Sequence, residues 1–265
     1  MVLASALILL ALSAPEVAPP TECKSASGQT ACGYHCKVGD SGPKCAKTPE
    51  GVCMAEGPVA CFDPPAYVRR IMGADLPRPR CISHDNQIAC GYACAHDYGK
   101  LLCASTPQGI CRAEAGQVVC FDPPISLFAA YQRAALPIAQ CKSESGHLAC
   151  GYHCTVANGH VRCSHTPQGV CRADYGKIVC FDPPAEIFCA YGASVPPAQC
   201  LSSDGKIACG FHCLTGHGEV ACAQTPQGTC NIGESHVTCF DPPADTQGTN
   251  ASRATCLELL SYEKK

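Results

Sequence analysis

Cysteine is the residue type whose number and spacing commit this chain to chemistry. Twenty-four of the 26 cysteines recur at matching positions in four copies of the pattern C…ACG(Y/F)xC…C…TPxGxC…CFDPP. The copies span Cys23–Cys61, Cys81–Cys120, Cys141–Cys180 and Cys200–Cys239. Within each copy the cysteines fall into three close pairs. These are Cys23 and Cys32, Cys36 and Cys45, Cys53 and Cys61 in the first; Cys81 and Cys90, Cys94 and Cys103, Cys111 and Cys120 in the second. The third has Cys141 and Cys150, Cys154 and Cys163, Cys171 and Cys180; the fourth has Cys200 and Cys209, Cys213 and Cys222, Cys230 and Cys239. The chemistry this implies is oxidation to disulfides, because units of about 40 residues bury too little apolar surface to fold without crosslinks or metals. Metal binding is the alternative use. His35, His153 and His212 precede the second cysteine of CGxxC, but the second copy has Ala93 there, and C-x3-C is not the usual spacing of a structural zinc site.

The elements that must position these cysteines are short hairpins. Eleven of the twelve pairs are C-x8-C, and the centre of eight of them is X-Gly, with Asn86 in the glycine place of a ninth. A two-residue turn with positive φ at the second residue closes a β-hairpin and puts the two cysteines directly opposite each other, in a non-hydrogen-bonded pair about 4.5 Å apart. That is close enough for a disulfide. The pair Cys53 and Cys61 is one residue shorter, which suits a three-residue loop with a bulge. The spacing favours pairing within each hairpin, and pairing across neighbouring hairpins stays open, since six cysteines allow about 15 connectivities. Thr-Pro-x-Gly, at Thr48–Gly51 and its three counterparts, is a type I turn signal, and Asp-Pro-Pro stops the strand after each copy.

These copies divide the chain. Residues 1–22 form an apolar leader and a Pro-rich stretch, and the cysteine modules occupy 23–65, 81–124, 141–184 and 200–243, with a partly helical tail at 244–265. The run MVLASALILLALSA is too short to span a bilayer and suits the apolar region of a secretory signal, although it lacks a basic start, and cleavage is expected after Ser13. Export agrees with cysteine usage, since disulfides persist in oxidising compartments. The linkers place Tyr67, Val68 and Ile71, then Leu127, Phe128 and Tyr131, then Ile187, Phe188 and Tyr191, at i, i+1 and i+4, one face of a helical turn or two. Cys189 and Cys256, outside the repeat, fall in helix-like stretches; they are expected either to pair with each other or to bridge to another chain. Asn250-Ala251-Ser252 is a sequon that matters only in a eukaryotic secretory route.

Other residues recur once per module. Asp63, Asp122, Asp182 and Asp241 invite a calcium reading; an Asx-type turn at the strand end is favoured. Tyr34, Tyr92, Tyr152 and Phe211, with Phe62, Phe121, Phe181 and Phe240, are expected to supply each module's small core, the alternative being an array for sugar or peptide contact. The segment CAKTPEGVC resembles the reactive loop of Bowman–Birk-type protease inhibitors in length and bracketing, which would make Lys47, Thr48 and Pro49 an inhibitory loop bracketed by a Cys45–Cys53 bridge. The matching positions in the other copies are Ser105, His165 and Gln224. The whole module resembles cysteine-rich repeat proteins of bacterial genomes, a resemblance that implies export and architecture and carries no activity.

A net charge of −3 argues against nucleic acid as a partner. The chain has no P-loop, no HExxH and no GxSxG, and neither Cys189 nor Cys256 has an evident base beside it. The expectation is a small disulfide-rich all-β protein, four tandem modules of about three hairpins joined by short helical linkers, without a membrane span, catalytic centre or cofactor. Its expected role is structural or multivalent binding of an extracellular protein or glycan, secreted, periplasmic or at the cell surface. Protease inhibition through the TPxGxC loops is the second reading, and metal binding the third.

Overall fold

A computed structural model describes residues 19–131, 135–242, 256–258 and 260–261. The cleavage site after Ser13, the apolar run of the leader, the sequon and most of the tail lie outside the described residues. The fold is a succession of small antiparallel hairpins carrying thirteen disulfides and joined by short helices.

Twelve of the bridges are local. Each joins cysteines directly opposite in one hairpin, as in Cys23↔Cys32, Cys111↔Cys120 and Cys171↔Cys180. Their Cα atoms lie 3.9–4.1 Å apart, slightly closer than an unbridged non-hydrogen-bonded pair. The open choice between local and crossed pairing is therefore resolved in favour of local. Register is fixed by the turns. Ser27-Gly28, Asp85-Asn86 and Tyr98-Gly99 have positive φ at both residues, the type I′ geometry whose twist matches the strands. The short Cys53–Cys61 hairpin has the expected three-residue loop, Glu56–Pro58, with Gly57 at φ 81°.

The first and second hairpins of a repeat share a strand. Gln29–Gly39, His147–Ala157 and Lys206–Gly216 each pair on both sides, with a bulge after Tyr34, Tyr152 and Phe211. The bulge residues are His35, His153 and His212, all at φ 46–49°. Where the second repeat has Ala93, the strand is broken into Gln87–Gly91 and Cys94–Asp97. Glycine before the bulge is dictated by close approach: a Cβ on Gly151 would collide with the Ser164 carbonyl oxygen and lie 2.8 Å from Cys163 Cβ.

Every hairpin packs on the next, across repeat boundaries as well as within them. Polar contacts tie the turns together. Gln87 Nε2 donates to the Gly99 carbonyl (2.7 Å), the Gly116 amide to Asp97 Oδ2 (2.8 Å), and Ser143 Oγ to Glu114 Oε1 (2.6 Å). The Ser143 hydroxyl, helped by Arg112, holds the Glu114 carboxyl below its ordinary pKa. The aromatic residues depart from expectation. Phe62 packs edge-on against Tyr92, Phe121 against Tyr152, and Phe181 against Phe211, at centroid distances of 5.8, 5.7 and 5.6 Å. They join the end of one repeat to the start of the next and do not form a core inside each.

The linkers complete this core. α1 (Ala66–Met72), α2 (Ile125–Tyr131) and α3 (Ala185–Tyr191) each begin after Pro-Pro, which supplies the extended entry. α1 and α3 end at Gly73 and Gly192, which reach positive φ and donate back to the Arg69 and Phe188 carbonyls. α2 packs against both other helices, with Tyr67 edge-on to Phe128. Leu127, Ile187 and Phe188 share one cluster with Phe121, Tyr152 and Phe211, so the apolar interior runs between repeats.

Cys189 in α3 is bonded to Cys256. The bridge to another chain through either residue is thus not made; the two are buried and paired within the chain. Residues 256–258 and 260 are helical, and Arg70 Nη1 of α1 meets Glu258 Oε1 at 3.1 Å, so this short segment lies against the linker helices. Replacing both Cys189 and Cys256 with Ser should release it. A crosslink closing so long a loop contributes about 4 kcal/mol on the chain-entropy model. Hydrogen exchange should show protection lost at residues 256–261 while a non-reduced digest still returns the twelve local bridges.

Candidate functional site: the clamped TPxG loops

Between the second and third hairpins of each repeat runs the turn Thr-Pro-x-Gly. Proline sets φ at its second residue, and the glycine amide closes it on the threonine carbonyl: Gly51 to Thr48 (3.1 Å), Gly109 to Thr106 (3.0 Å), Gly169 to Thr166 (3.1 Å) and Gly228 to Thr225 (3.0 Å). The glycine is sterically required, since a Cβ on Gly109 would run into Asp122 Oδ1 and lie 3.1 Å from the Thr106 carbonyl.

That aspartate holds the turn. Asp122 Oδ1 accepts from the Thr106 amide and hydroxyl, both at 2.8 Å, and Oδ2 from the Ser105 amide at 2.9 Å. Asp63 does the same for Lys47 and Thr48, Asp182 for His165 and Thr166, and Asp241 for Gln224 and Thr225. The expected Asx turn is corrected: the carboxylate reaches back 15–17 residues to another loop. Two amides and a hydroxyl converge on it in each repeat, so the carboxylate acts as the acceptor that holds the turn.

A second contact grips the turn from the other side. His35 Nε2 donates to the Pro49 carbonyl (3.1 Å), His153 to Pro167 (2.8 Å) and His212 to Pro226 (2.8 Å). The carbonyl only accepts, so these rings carry the proton on Nε2. The bond also offsets the cost of positive φ at the bulge, where histidine is among the residues that tolerate it. The histidines read from sequence as candidate ligands are thus loop anchors. All 26 cysteines are in disulfides, which leaves no thiolate for a metal. Among the described residues no group of three or more His, Cys, Asp or Glu is placed to hold one.

The inhibitor loop is likewise revised. Cys45 is bonded to Cys36 and Cys53 to Cys61, so no Cys45–Cys53 bridge brackets Lys47, Thr48 and Pro49. Lys47 is exposed, while Thr48 and Pro49 are partly buried. The same geometry recurs at Ser105, His165 and Gln224, each exposed beside a buried or half-buried threonine. The scaffold is constant and the outward side chain changes.

An open groove of about 670 Å³ runs beside the third of these loops, lined by Tyr131, Ile138, Tyr152, His153 and Gln168 among others. Gln168 Nε2 donates to the Tyr131 hydroxyl (2.7 Å), and Ile138 is 85% exposed, an apolar wall open to solvent. Such a groove offers hydrogen bonds and apolar contact. Tyr152 donates its hydroxyl to the Pro137 carbonyl at 3.1 Å. Burial, seconded by Tyr131, pushes its pKa up to about 12, and burial, seconded by the Glu50 carboxylate, does the same for Tyr92.

No known protein family, curated protein or solved structure matches the chain. Among the described residues no helix is long and apolar enough to cross a membrane.

Asp122→Ala strands the buried Thr106 donors and should cost about 2–4 kcal/mol, with Asp122→Asn costing about half that because one carbonyl oxygen remains. Amide exchange at Thr106 and the urea midpoint read this out. Tyr92 and Tyr152 stay protonated when folded but ionise near 10 when unfolded, so the native state binds more protons above pH 10. Their stabilisation is whole below pH 10 and is lost as pH rises through about 12. A tyrosinate absorbance titration should show a late alkaline step that the Y92F/Y152F variant lacks.

Proposed function

We propose that this chain is an exported, non-enzymatic repeat protein that acts outside the cell as a multivalent binder or structural element, engaging an extracellular protein or glycan through its TPxG loops. One observation carries the reading: the same turn is clamped by the same aspartate in every copy, while the residue pointing outward varies from Lys47 to Ser105, His165 and Gln224. A rigid backbone with changing exposed side chains conserves affinity, because little ordering entropy is lost on binding. Several such loops on one chain add avidity without new contacts. The exposed tips Tyr98 and Tyr175, at 85% and 80%, add aromatic surface suited to sugar or peptide contact. Export to an oxidising compartment is supported by the density of disulfides, a usage rare where thiols are kept reduced. The resemblance to secreted bacterial cysteine-rich repeat proteins points the same way.

The test is binding of the oxidised full chain to a glycan array and to immobilised exported proteins, with Asp63, Asp122, Asp182 and Asp241 changed to Ala singly and together. Each clamp removed should lower avidity for a polymeric ligand by roughly tenfold, and the quadruple variant should not bind. Equal binding by the quadruple variant, or no retained ligand in either panel, would overturn the reading.

A further inference from the structure

The junctions between repeats have a direction. The third hairpin of one repeat offers a phenylalanine edge, and the first two hairpins of the next offer an aromatic ring and a disulfide. Phe62, Phe121 and Phe181 meet Tyr92, Tyr152 and Phe211 at 5.6–5.8 Å with the rings near perpendicular, at 88–90°. Beside each pair the same second contact recurs: the sulfurs of Cys90, Cys150 and Cys209 lie 3.7 Å from the carbonyl oxygens of Ala60, Val119 and Val179. At two of the three a serine hydroxyl meets a glutamate, Ser83 with Glu56 and Ser143 with Glu114. The geometry is one interface used three times.

The first and last repeats carry the unmated halves of it. Phe240 closes the last hairpin where Phe121 closes the sixth, yet Phe240 is 66% exposed and Phe121 is 7% exposed. Tyr34 stands where Tyr92, Tyr152 and Phe211 stand; those three are 7%, 5% and 3% exposed, and Tyr34 is only half-buried. Around Tyr34 lie the Cys23–Cys32 bridge and Ser25, in the places held at the internal junctions by Cys81–Cys90 and Ser83. Around Phe240 lies the Thr238 carbonyl, in the place of Val119 and Val179.

We infer that the Phe240 end of one chain docks on the Tyr34 end of a second copy, continuing the hairpin stack from molecule to molecule. The occupant is set by continuity: the surface complementary to Phe240 already exists three times within the chain, and its fourth instance is the first repeat. The two ends differ, so the contact is heterologous and grows into chains or rings, unlike a two-fold dimer. Inside the chain the linker and α helices hold the partners together. Between chains no linker helps, and the contact must offset the entropy of association, so it forms at high local concentration. This inference stands independently of what the TPxG loops bind.

Sedimentation velocity on the oxidised full chain, from about 10 µM to about 1 mM, tests it. The weight-average mass should climb past that of a dimer, because each association leaves two free ends. Phe240→Asp and Tyr34→Asp should each suppress growth, with unchanged disulfide maps as the folding control. Mixed together they should form one-to-one dimers that grow no further, since one variant keeps the head and the other the tail. A wild-type chain that stays monomeric throughout would overturn the inference. So would oligomers that persist in either single variant, or an equal mixture that stays monomeric.

Discussion

The bridge between two cysteines facing each other across a ten-residue hairpin is the constraint on which everything else rests. An isolated two-stranded hairpin is marginal in water. Closing it with a disulfide at the non-hydrogen-bonded position contributes roughly 2–3 kcal/mol on the chain-entropy model and, more to the point, fixes its register. The X-Gly turn and the bridge specify the same register from opposite ends, as in Ser145-Gly146 with Cys141–Cys150. Each unit is therefore defined before it meets its neighbours, and what remains is to stack defined units.

Stacking explains where the apolar residues went. A hairpin of ten residues has no interior, so its large side chains are buried only by the next hairpin or by a linker helix. Phe121, Tyr152, Phe188 and Phe211 form one cluster with Leu127 and Ile187, a core that belongs to the junctions. This is the physics of repeat proteins, in which stability is carried by nearest-neighbour interfaces. Residues 256–258 are tied to α3 by Cys189–Cys256 and to α1 by Arg70–Glu258.

The TPxG loops show how a small scaffold makes a rigid surface without a large core. Four hydrogen-bonding groups converge on each turn: a carboxylate from the third hairpin, a threonine hydroxyl, and two successive amides, as at Asp182 with His165 and Thr166. In the repeats that have it, the bulge histidine adds a fifth. Buried donors with a charged acceptor are costly to unpair, which keeps the loop in one shape. The outward residue is not fixed by the clamp and is free to vary; His165 turns its ring back to 3.2 Å from Asp182 Oδ2, and Gln224 Nε2 donates to the Cys222 carbonyl at 3.3 Å.

The sequence by itself determined the local half of this structure. The C-x8-C spacing and the turn glycines specify hairpins and facing cysteines, because partners nine residues apart with a two-residue turn between them have a single sensible register; that the bridges close within hairpins and not across them was decided by the structure. The helical linkers were legible for the same reason, from apolar residues within one turn of each other. Tertiary structure decided the rest. Asp122 is followed by Pro123 and Pro124, which have no N–H to close an Asx turn, and only the packing of the third hairpin against the second brings it the donors of Thr106. His153 reads as a ligand until the bulge places its Nε2 on Pro167. Phe121 and Tyr152 are 31 residues apart, and their types fit an inner core as well as a junction. Cys189 fits a second chain as well as Cys256. Long-range partners are settled by competition among surfaces that exist only after the hairpins have stacked, and spacing along the chain carries no record of that competition.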